Sequence, residues 1–404
     1  MSVTKAKTDN ITSLNAAQLT GVLPAISGAA LTGVETVTKN ASDPAIGTNP
    51  SGGVGTLWAN TTSGEMFACT DATAGENVWK NVGSGDANIA KPFGGIGGGT
   101  ISGFVAGGYA GNASFQITKT IEQYSLVTDG NKSDHGDLIG RGPAGAEPHA
   151  QGTGMNIGNG SATHGYASGG EYRVPAWTHN AAIDKFAFAS TGTATDQGDM
   201  VSQLEYASSQ NSLTHGYITG GYGDNTSPTR RSSYQRFSFA STGNATDVGT
   251  LITGVQSCVG QSSNTHGYKS GGYDASNSNT NVIERFSFAS NGATTDVGDL
   301  TEVVQNGGSA SSSSYGYVVG GSTGSVTDRI DKFSFTSNSN ANSVGNITSA
   351  RIGICSTSSV THGYVVGGNG PIDTMQKWAY ASDGTASNIG TLTYARQNGA
   401  SSQF

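Results

Sequence analysis

The chain has 404 residues, with 62 glycines, 9 prolines and a formal net charge of −8 at pH 7. The sequence has no block of Lys and Arg, so it lacks the positive charge that a nucleic-acid-binding protein needs. No apolar run approaches the ~20 residues that span a bilayer. Abundant glycine with few charges predicts an all-β protein rich in tight turns, with disorder as the alternative. Cys69, Cys258 and Cys355 are expected to be small core residues, since they are few and far apart.

Residues 1–36 place single apolar residues among small polar ones, most regularly between Ile11 and Gly33. Such a segment has too few apolar residues to form a core alone. We therefore expect it to oligomerise with identical chains, as in intertwined β fibres. A flexible linker is the alternative. The first five residues contain no apolar signal core, so classical secretion is not expected.

Residues 37–94 are predicted to form a small β module. The stretch from Val54 to Asp71 indicates a hairpin that turns at Ser63-Gly64, and a return strand follows between Asn77 and Gly83. Trp58 and Trp79 are the expected core anchors of this module.

The Leu-Thr-Gly and Leu-Pro rhythm of 11–33 is similar to segments of bacteriophage tail fibres, and 54–85 resembles a small β module of phage structural proteins. The resemblance implies a virion protein of the tail or fibre, made in the host cytoplasm. Its N-terminal region would dock to other virion tail proteins, a homotrimer would be expected, and its distal domain would attach to a glycan or protein of the host surface. The alternative is a structural adaptor, tail-tip or capsid-decorating protein without receptor binding.

From residue 95 onward one motif returns six times: a glycine with an aromatic residue, followed two residues later by a Gly-Gly pair. The unit over 212–260 predicts strands at Thr214–Gly221, Tyr234–Ser241, Thr246–Leu251 and Ser257–Ser263. A period near fifty with four short strands a unit predicts a six-bladed β-propeller over 95–404. The leading glycines are Gly103, Gly165, Gly216, Gly267, Gly316 and Gly363.

The segment from Ala395 to Phe404 matches the strand that elsewhere precedes the next Gly-aromatic string. We therefore expect it to complete the unit begun at Gly103, which would close the ring and remove two exposed sheet edges. An open row of units is the alternative.

The units resemble kelch repeats in the Gly-Gly pair after an apolar strand, the aromatic strand after a variable loop, and the later Ala-Arg at 350–351 and 395–396. The resemblance covers about 103–404 and implies a kelch-like propeller. It departs at the single tryptophan that usually follows the aromatic strand, because Val248 or Val297 occupies that region.

No catalytic residue, metal or cofactor is predicted. His164, His215, His266 and His362 recur at one position, which would suit a metal site. Phe104 and Tyr315 come near that position in the other two units, and copies in neighbouring blades are expected to lie too far apart to share one ion away from the axis. A structural hydrogen-bonding role is therefore favoured. Asp196, Asp247 and Asp296 recur before glycine, as expected of turn or strand-end bonds. Catalysis needs an irregular constellation, and no oxidase or sialidase pattern stands out. Glycoside hydrolysis needs two carboxylates at a set separation, which a sequence does not reveal. A polysaccharide depolymerase is the weakest alternative.

Recognition is expected where the copies differ, in the connections that follow each Gly-Gly pair. Aromatic rings beside arginine on a rigid scaffold suit a sugar or protein ligand. Ordinary surface loops are the alternative. The candidate receptor-binding residues are Tyr109, Phe115, Tyr172, Arg173, Trp177, Tyr222, Arg230, Arg231 and Tyr273.

Overall fold

The computed structural model describes residues 37–82, 101–110, 116–130, 132–140, 157–173, 177–223, 229–370 and 372–403. These residues form strands, turns and bends without a helix, which confirms the all-β prediction. No helix among them could therefore span a membrane. They divide into two compact units, within Met1–Ile89 and within Ala90–Phe404. The predicted oligomerising segment 1–36 lies outside the described residues.

The described residues of the first unit form a small β module. It contains one four-stranded sheet of Thr38–Asn40, Leu57–Asn60, Met66–Asp71 and Val78–Asn81, in that order. The second and third strands form the predicted hairpin, and Gly64 supplies the positive φ (77°) that its turn requires. Trp58 is buried, and its ring meets that of Trp79 edge to face at 5.8 Å. The expected aromatic anchors are thus in contact.

The described residues of the second unit form six similar antiparallel sheets, numbered here in the chain order of their second strands. The first strands of sheets 1 to 6 are Ala400–Gln403, Ile157–Gly160, Ser208–Asn211, Val259–Ser262, Gly308–Ser311 and Cys355–Ser358. The second strands are Ser102–Ala106, His164–Ser168, His215–Thr219, His266–Asp274, Tyr315–Val319 and His362–Val366. The third strands are Thr120–Ser125, Ala182–Ala187, Ser233–Ser238, Asn279–Ser287, Arg329–Ser334 and Thr374–Ala379. The fourth strands are Ser133–Asp137, Thr195–Asp199, Thr246–Thr250, Thr295–Asp299, Asn342–Asn346 and Ser387–Thr391.

Short strands extend the sheets. Those on the connections are Tyr109–Ala110, Gln116–Ile117, Glu171–Arg173, Trp177–His179, Leu204–Glu205, Tyr222–Gly223, Val255–Gln256 and Arg396–Gln397. Gly192–Thr193 and Gly292–Ala293 pair in parallel with the fourth strands of sheets 1 and 3.

Sheet 1 is assembled from distant parts of the sequence. Its first strand pairs antiparallel with its second strand, and Ser402 lies opposite Phe104. The predicted pairing of the last segment with the unit begun at Gly103 is therefore confirmed.

The repeated glycine of each second strand has a steric cause. In sheet 3, Gly216 lies opposite Phe237, and a Cβ at Gly216 would come 2.5 Å from the phenylalanine ring. The same crowding by a cross-strand aromatic occurs at Gly103, Gly165, Gly267, Gly316 and Gly363. Glycine is required because the aromatic ring of the third strand occupies the space that a Cβ would take.

Aromatic stacking joins each sheet to the next. Tyr217 of sheet 3 stacks on Phe288 of sheet 4 at 4.9 Å, and equivalent stacks join the other sheets from sheet 1 to sheet 6. Between sheet 6 and sheet 1, the Tyr364 hydroxyl donates to the Leu126 carbonyl at 3.1 Å. The core of the unit therefore lies between sheets, and both faces of each sheet contribute to it.

A buried polar side chain on each third strand accepts a hydrogen bond from the preceding sheet's connection. In sheet 3, Gln235 Oε1 accepts from the Val201 backbone N–H at 2.7 Å. Sheet 1 follows the same rule with sheet 6, because Glu122 Oε1 accepts from Thr393 N–H at 2.9 Å. The acceptors in the remaining sheets are Asp184, Glu284, Asp331 and Gln376.

The first strands also contact one another. Each touches the first strand of the next sheet, and that of sheet 6 touches that of sheet 1. The Ser356 N–H donates to Ser401 Oγ at 3.1 Å, and the Ser309 N–H donates to Ser356 Oγ at 2.7 Å. Gly158 lies so close to the Ser401 backbone that no Cβ would fit between them.

The antiparallel order gives every sheet two distinct ends. The connections after each Gly-Gly pair and after each fourth strand leave from one end, which we name the loop end. The shorter connections between first and second strands and between third and fourth strands lie at the other, which we name the turn end. The candidate recognition residues that the structure describes belong to loop-end connections or to the strand termini beside them.

Candidate functional site

The structure places the predicted recognition residues in different environments. Tyr109 is only 5% exposed, and its hydroxyl donates to the Glu171 carboxylate, so its ring is not presented to a ligand. Tyr172 is half-buried on the strand Glu171–Arg173. Phe115 lies outside the described residues, and only the backbone of Arg173 and Trp177 is described.

Arg230 and Tyr273 come together at the loop ends of sheets 3 and 4. The Arg230 guanidinium carbon lies 4.6 Å from the centre of the Tyr273 ring, within cation–π range. Arg230 Nε also donates to Gln256 Oε1 at 3.0 Å. Both side chains are half-buried, so the pair is fixed and still reaches solvent.

Tyr222 and Arg231 lie beside this pair on the connection of sheet 3. The Tyr222 ring meets the His179 ring edge to face at 6.0 Å. The Arg231 guanidinium lies against the backbone of Gly223, where a Cβ would come within 2.9 Å of it. Four predicted residues, Tyr222, Arg230, Arg231 and Tyr273, thus line adjoining loop ends.

Three ionisable side chains outside the nine predicted recognition residues meet beside Tyr222. Glu171, His179 and Glu205 each place one ligand-type atom within 4.8 Å of the other two. His179 Nε2 lies 3.4 Å from Glu205 Oε1. Glu171 and His179 face each other across a short strand pair, and Glu205 lies opposite Tyr222 on another, so ordered backbone positions all three.

The electrostatics of this cluster are unusual for surface loops. Burial raises the pKa of Glu205 to about 8, and the neighbouring Glu171 carboxylate adds to the increase. Burial also raises the pKa of Glu171. Glu205 Oε2 is buried without a hydrogen-bond partner among the described residues. Burial and the neighbouring carboxylate therefore favour the protonated form of Glu205 at neutral pH as long as no cation is bound.

The other units hold different side chains at the same positions. Where sheet 2 pairs Glu171 with His179, sheet 3 pairs Tyr222 with Arg230. The corresponding pairs in sheets 1, 4 and 5 are Tyr109 with Ile117, Tyr273 with Asn279, and Ser322 with Val326. The residues that replace Glu205 are Gln256, Gln305 and Gln397. Among the described copies, this ligand set occurs in one unit.

The backbone of Tyr206, next to Glu205, has an unusual conformation. It has a φ of 55°, in the left-handed region that bulky side chains avoid. The residues with positive φ at this position in the other units are the smaller Ser257, Asn306, Gly353 and Asn398. Burial raises the pKa of Tyr206, and so do the Glu205 and Glu171 charges. Strained backbone of this kind is concentrated at functional sites.

The recurring histidines lie at the turn ends. In all four, Nδ1 shares a hydrogen bond of 2.8 Å with the hydroxyl of the preceding threonine, in agreement with the expected structural role. Burial lowers their pKa values, and a Lys or Arg on the third strand lowers them further. Asp196 and Asp296 accept bonds from the Gly198 and Gly298 N–H groups, as expected of strand-end residues.

A comparison of the repeat units in the sequence could have indicated Glu171 and Glu205. Glu171 stands where three other units have tyrosine, and Glu205 stands where three have glutamine. Aligning the copies for lost symmetry, in place of their shared histidines, would have selected both. No protein-family description matches the chain, and no curated protein resembles it at a significant level.

Proposed function

We propose that the chain is a bacteriophage tail fibre or tail-associated virion protein, and that its second unit is a closed six-bladed β-propeller that recognises the host surface. Recognition takes place at the loop ends. The N-terminal region docks to other tail proteins and holds a homotrimer. The assignment to a virion rests on the recurring Leu-Thr-Gly and Leu-Pro pattern of 11–33, which resembles tail fibres, and on the module that begins near Val54.

Ring closure is supported by contacts that continue from sheet 6 to sheet 1. Tyr364 bonds to Leu126 and Thr393 bonds to Glu122, in the manner of the other sheet pairs. At the outer edge, the Gly130 N–H donates to the Ile389 carbonyl at 3.0 Å. A ring of six sheets uses each of these contacts once per neighbouring pair.

One observation supports recognition at the loop ends. The six sheets repeat their glycines, aromatic stacks and buried acceptors, whereas the side chains at the loop ends change from unit to unit. Arg230 over Tyr273 is a preorganised pair of the type that binds sugars and polar protein surfaces. A scaffold kept constant with one variable end is typical of a binding module.

The test is binding of the fluorescently labelled full-length protein to bacterial cells and to their isolated surface polysaccharides. We expect binding to a subset of surfaces, and a loss of at least about tenfold when Arg230 and Tyr273 are both replaced by serine. The matched control replaces Lys332 and Tyr315, a cation–π pair at a turn end with a separation of 4.3 Å. Equal losses in the two variants, or no binding to any surface, would contradict the proposal.

A structural adaptor is the second candidate, because the burial of Tyr109 makes part of the loop end a packed surface instead of a projecting one. Antibody labelling of assembled particles separates the two functions. An adaptor would have its loop ends covered by neighbouring virion proteins, whereas a receptor-binding protein would leave them accessible.

A further inference from the structure

We propose that Glu171, His179 and Glu205 form a binding site for one divalent first-row transition-metal ion of the zinc type. This site differs from the sequence-based expectation that the chain binds no metal. It does not depend on the proposed role in host recognition.

The geometry suits such an ion. One imidazole nitrogen and two carboxylate oxygens lie within 4.8 Å of one another. An ion bound at the usual zinc distances separates tetrahedral ligands by roughly 3.4 Å. The separation of His179 Nε2 and Glu205 Oε1 is 3.4 Å, so these two need no rearrangement.

An unsatisfied group points to a missing ligand. The Glu205 side chain is only 9% exposed, and its Oε2 has no hydrogen-bond partner among the described residues. A buried carboxylate oxygen without a partner costs free energy, and a bound cation would satisfy it. Glu171 brings a second carboxylate to the same place, where a divalent ion would balance both charges.

The surroundings orient the ligands as metal sites require. The Tyr109 hydroxyl donates to Glu171, which fixes this carboxylate from outside the cluster. The Tyr222 ring packs against the His179 ring and limits its rotation. An ion held here would connect loop-end groups of sheets 1, 2 and 3.

The repeat supplies an internal comparison. Sheets with Gln256 or Gln305 at the Glu205 position form the same strand pairing, so the fold does not require an acid there. The three ligand types occur together in sheet 2 and its connection to sheet 3. The ligand set is therefore a local departure from the repeat that the strand pairing does not require.

The donor set favours a transition metal over calcium or magnesium. Imidazole nitrogen is a ligand for zinc, copper, iron and nickel, whereas calcium takes six to eight oxygen atoms. Zinc sites with an open position use three protein ligands, and histidine nitrogen and carboxylate oxygen are both among the ligand types that zinc accepts. The cluster therefore selects an ion that accepts few ligands.

The experiment titrates Zn²⁺ into the full-length protein after chelator treatment, by calorimetry, with metal content measured after dialysis. We expect one ion per chain and a higher melting temperature with Zn²⁺. Glu205→Gln and His179→Asn copy side chains that other units carry at these positions, and each should weaken binding at least tenfold. Glu302→Gln is the control, because it removes an equal charge from an exposed residue on another loop-end connection.

Equal Zn²⁺ affinity in the wild type and in Glu205→Gln would overturn the proposal, and so would Ca²⁺ binding as tight as that of Zn²⁺. X-ray absorption of the zinc-loaded wild type provides a test without a variant. Scattering from one imidazole is expected, and its absence would also overturn the site.

Discussion

Buried charged residues are found at the junctions between sheets. The Arg396 and Glu122 side chains are 0% and 3% exposed and approach to 2.9 Å between Nη2 and Oε2. Arg396 also donates to the carbonyls of Val105 and Thr120, which belong to sheet 1. A buried ion pair is costly to break because the remaining charge is left without a partner.

Replacing Arg396 by methionine should lower the free energy of unfolding by about 3–5 kcal/mol, because Glu122 loses its counter-ion. The measurement is urea denaturation of the full-length protein. Adding Glu122→Gln should restore part of the loss, since glutamine serves at the same position as Gln235 and Gln376.

Arg351→Met is the matched control for that prediction. Arg351 is equally buried, yet it bonds to the Gly367 carbonyl and the Thr374 hydroxyl and has no carboxylate among its described partners. We expect a smaller loss there. An equal loss, together with no recovery from Glu122→Gln, would show that packing and not charge explains the effect.

At the scale of the strand, the repeated glycine of each fourth strand marks where the backbones of neighbouring sheets touch. A Cβ at Gly345 would overlap the carbonyl group of Gly384 in the next sheet. The same close approach recurs between Gly390 and Gly130, which belong to sheets 6 and 1. The Asp-x-Gly pattern of the sequence therefore reflects contact between sheets as much as strand termination.

Gly345→Ala should destabilise the protein by more than about 2 kcal/mol, because the new methyl group meets backbone that cannot move aside. Gly384→Ala is the control, since open space surrounds its Cβ and only its φ of 100° opposes the change. That strain costs about 1–2 kcal/mol. Melting curves of the two variants measure the difference, and equal shifts would exclude the clash as the cause.

At the scale of the whole molecule, periodic features could be predicted from sequence and singular ones could not. The pairing of Ala400–Gln403 with Ser102–Ala106 could be predicted from the repeat, because the segment from Ala395 matches the strand that precedes the Gly-aromatic string in other units. The meeting of Glu171, His179 and Glu205 depends on the register of two short strand pairs, which no local motif encodes. The burial of Tyr109 could not be predicted from the sequence either, because its partner Glu171 belongs to another unit.

Removing residues 396–404 should destabilise the entire second unit, because sheet 1 loses its first strand and sheets 1 and 6 lose the Arg396 contacts. We expect loss of near-ultraviolet circular dichroism and binding of a hydrophobic dye. Adding a synthetic peptide of residues 393–404 should reverse both changes. A truncated protein that melts within a few degrees of the full-length chain would contradict a closed ring.

Sheet 1 combines strands that lie far apart in the sequence, and this has a consequence for biosynthesis. Its second strand is translated about 300 residues before the first strand that covers its edge, and at usual elongation rates the delay is about 15–60 s. Throughout that interval Ser102–Ala106, buried in the finished fold, has one edge without a hydrogen-bonded neighbour. Newly made chains therefore pass through a stage in which they can pair with one another. Slow synthesis or crowding of ribosomes on one message would lower the yield of this protein before any question of its final stability arises.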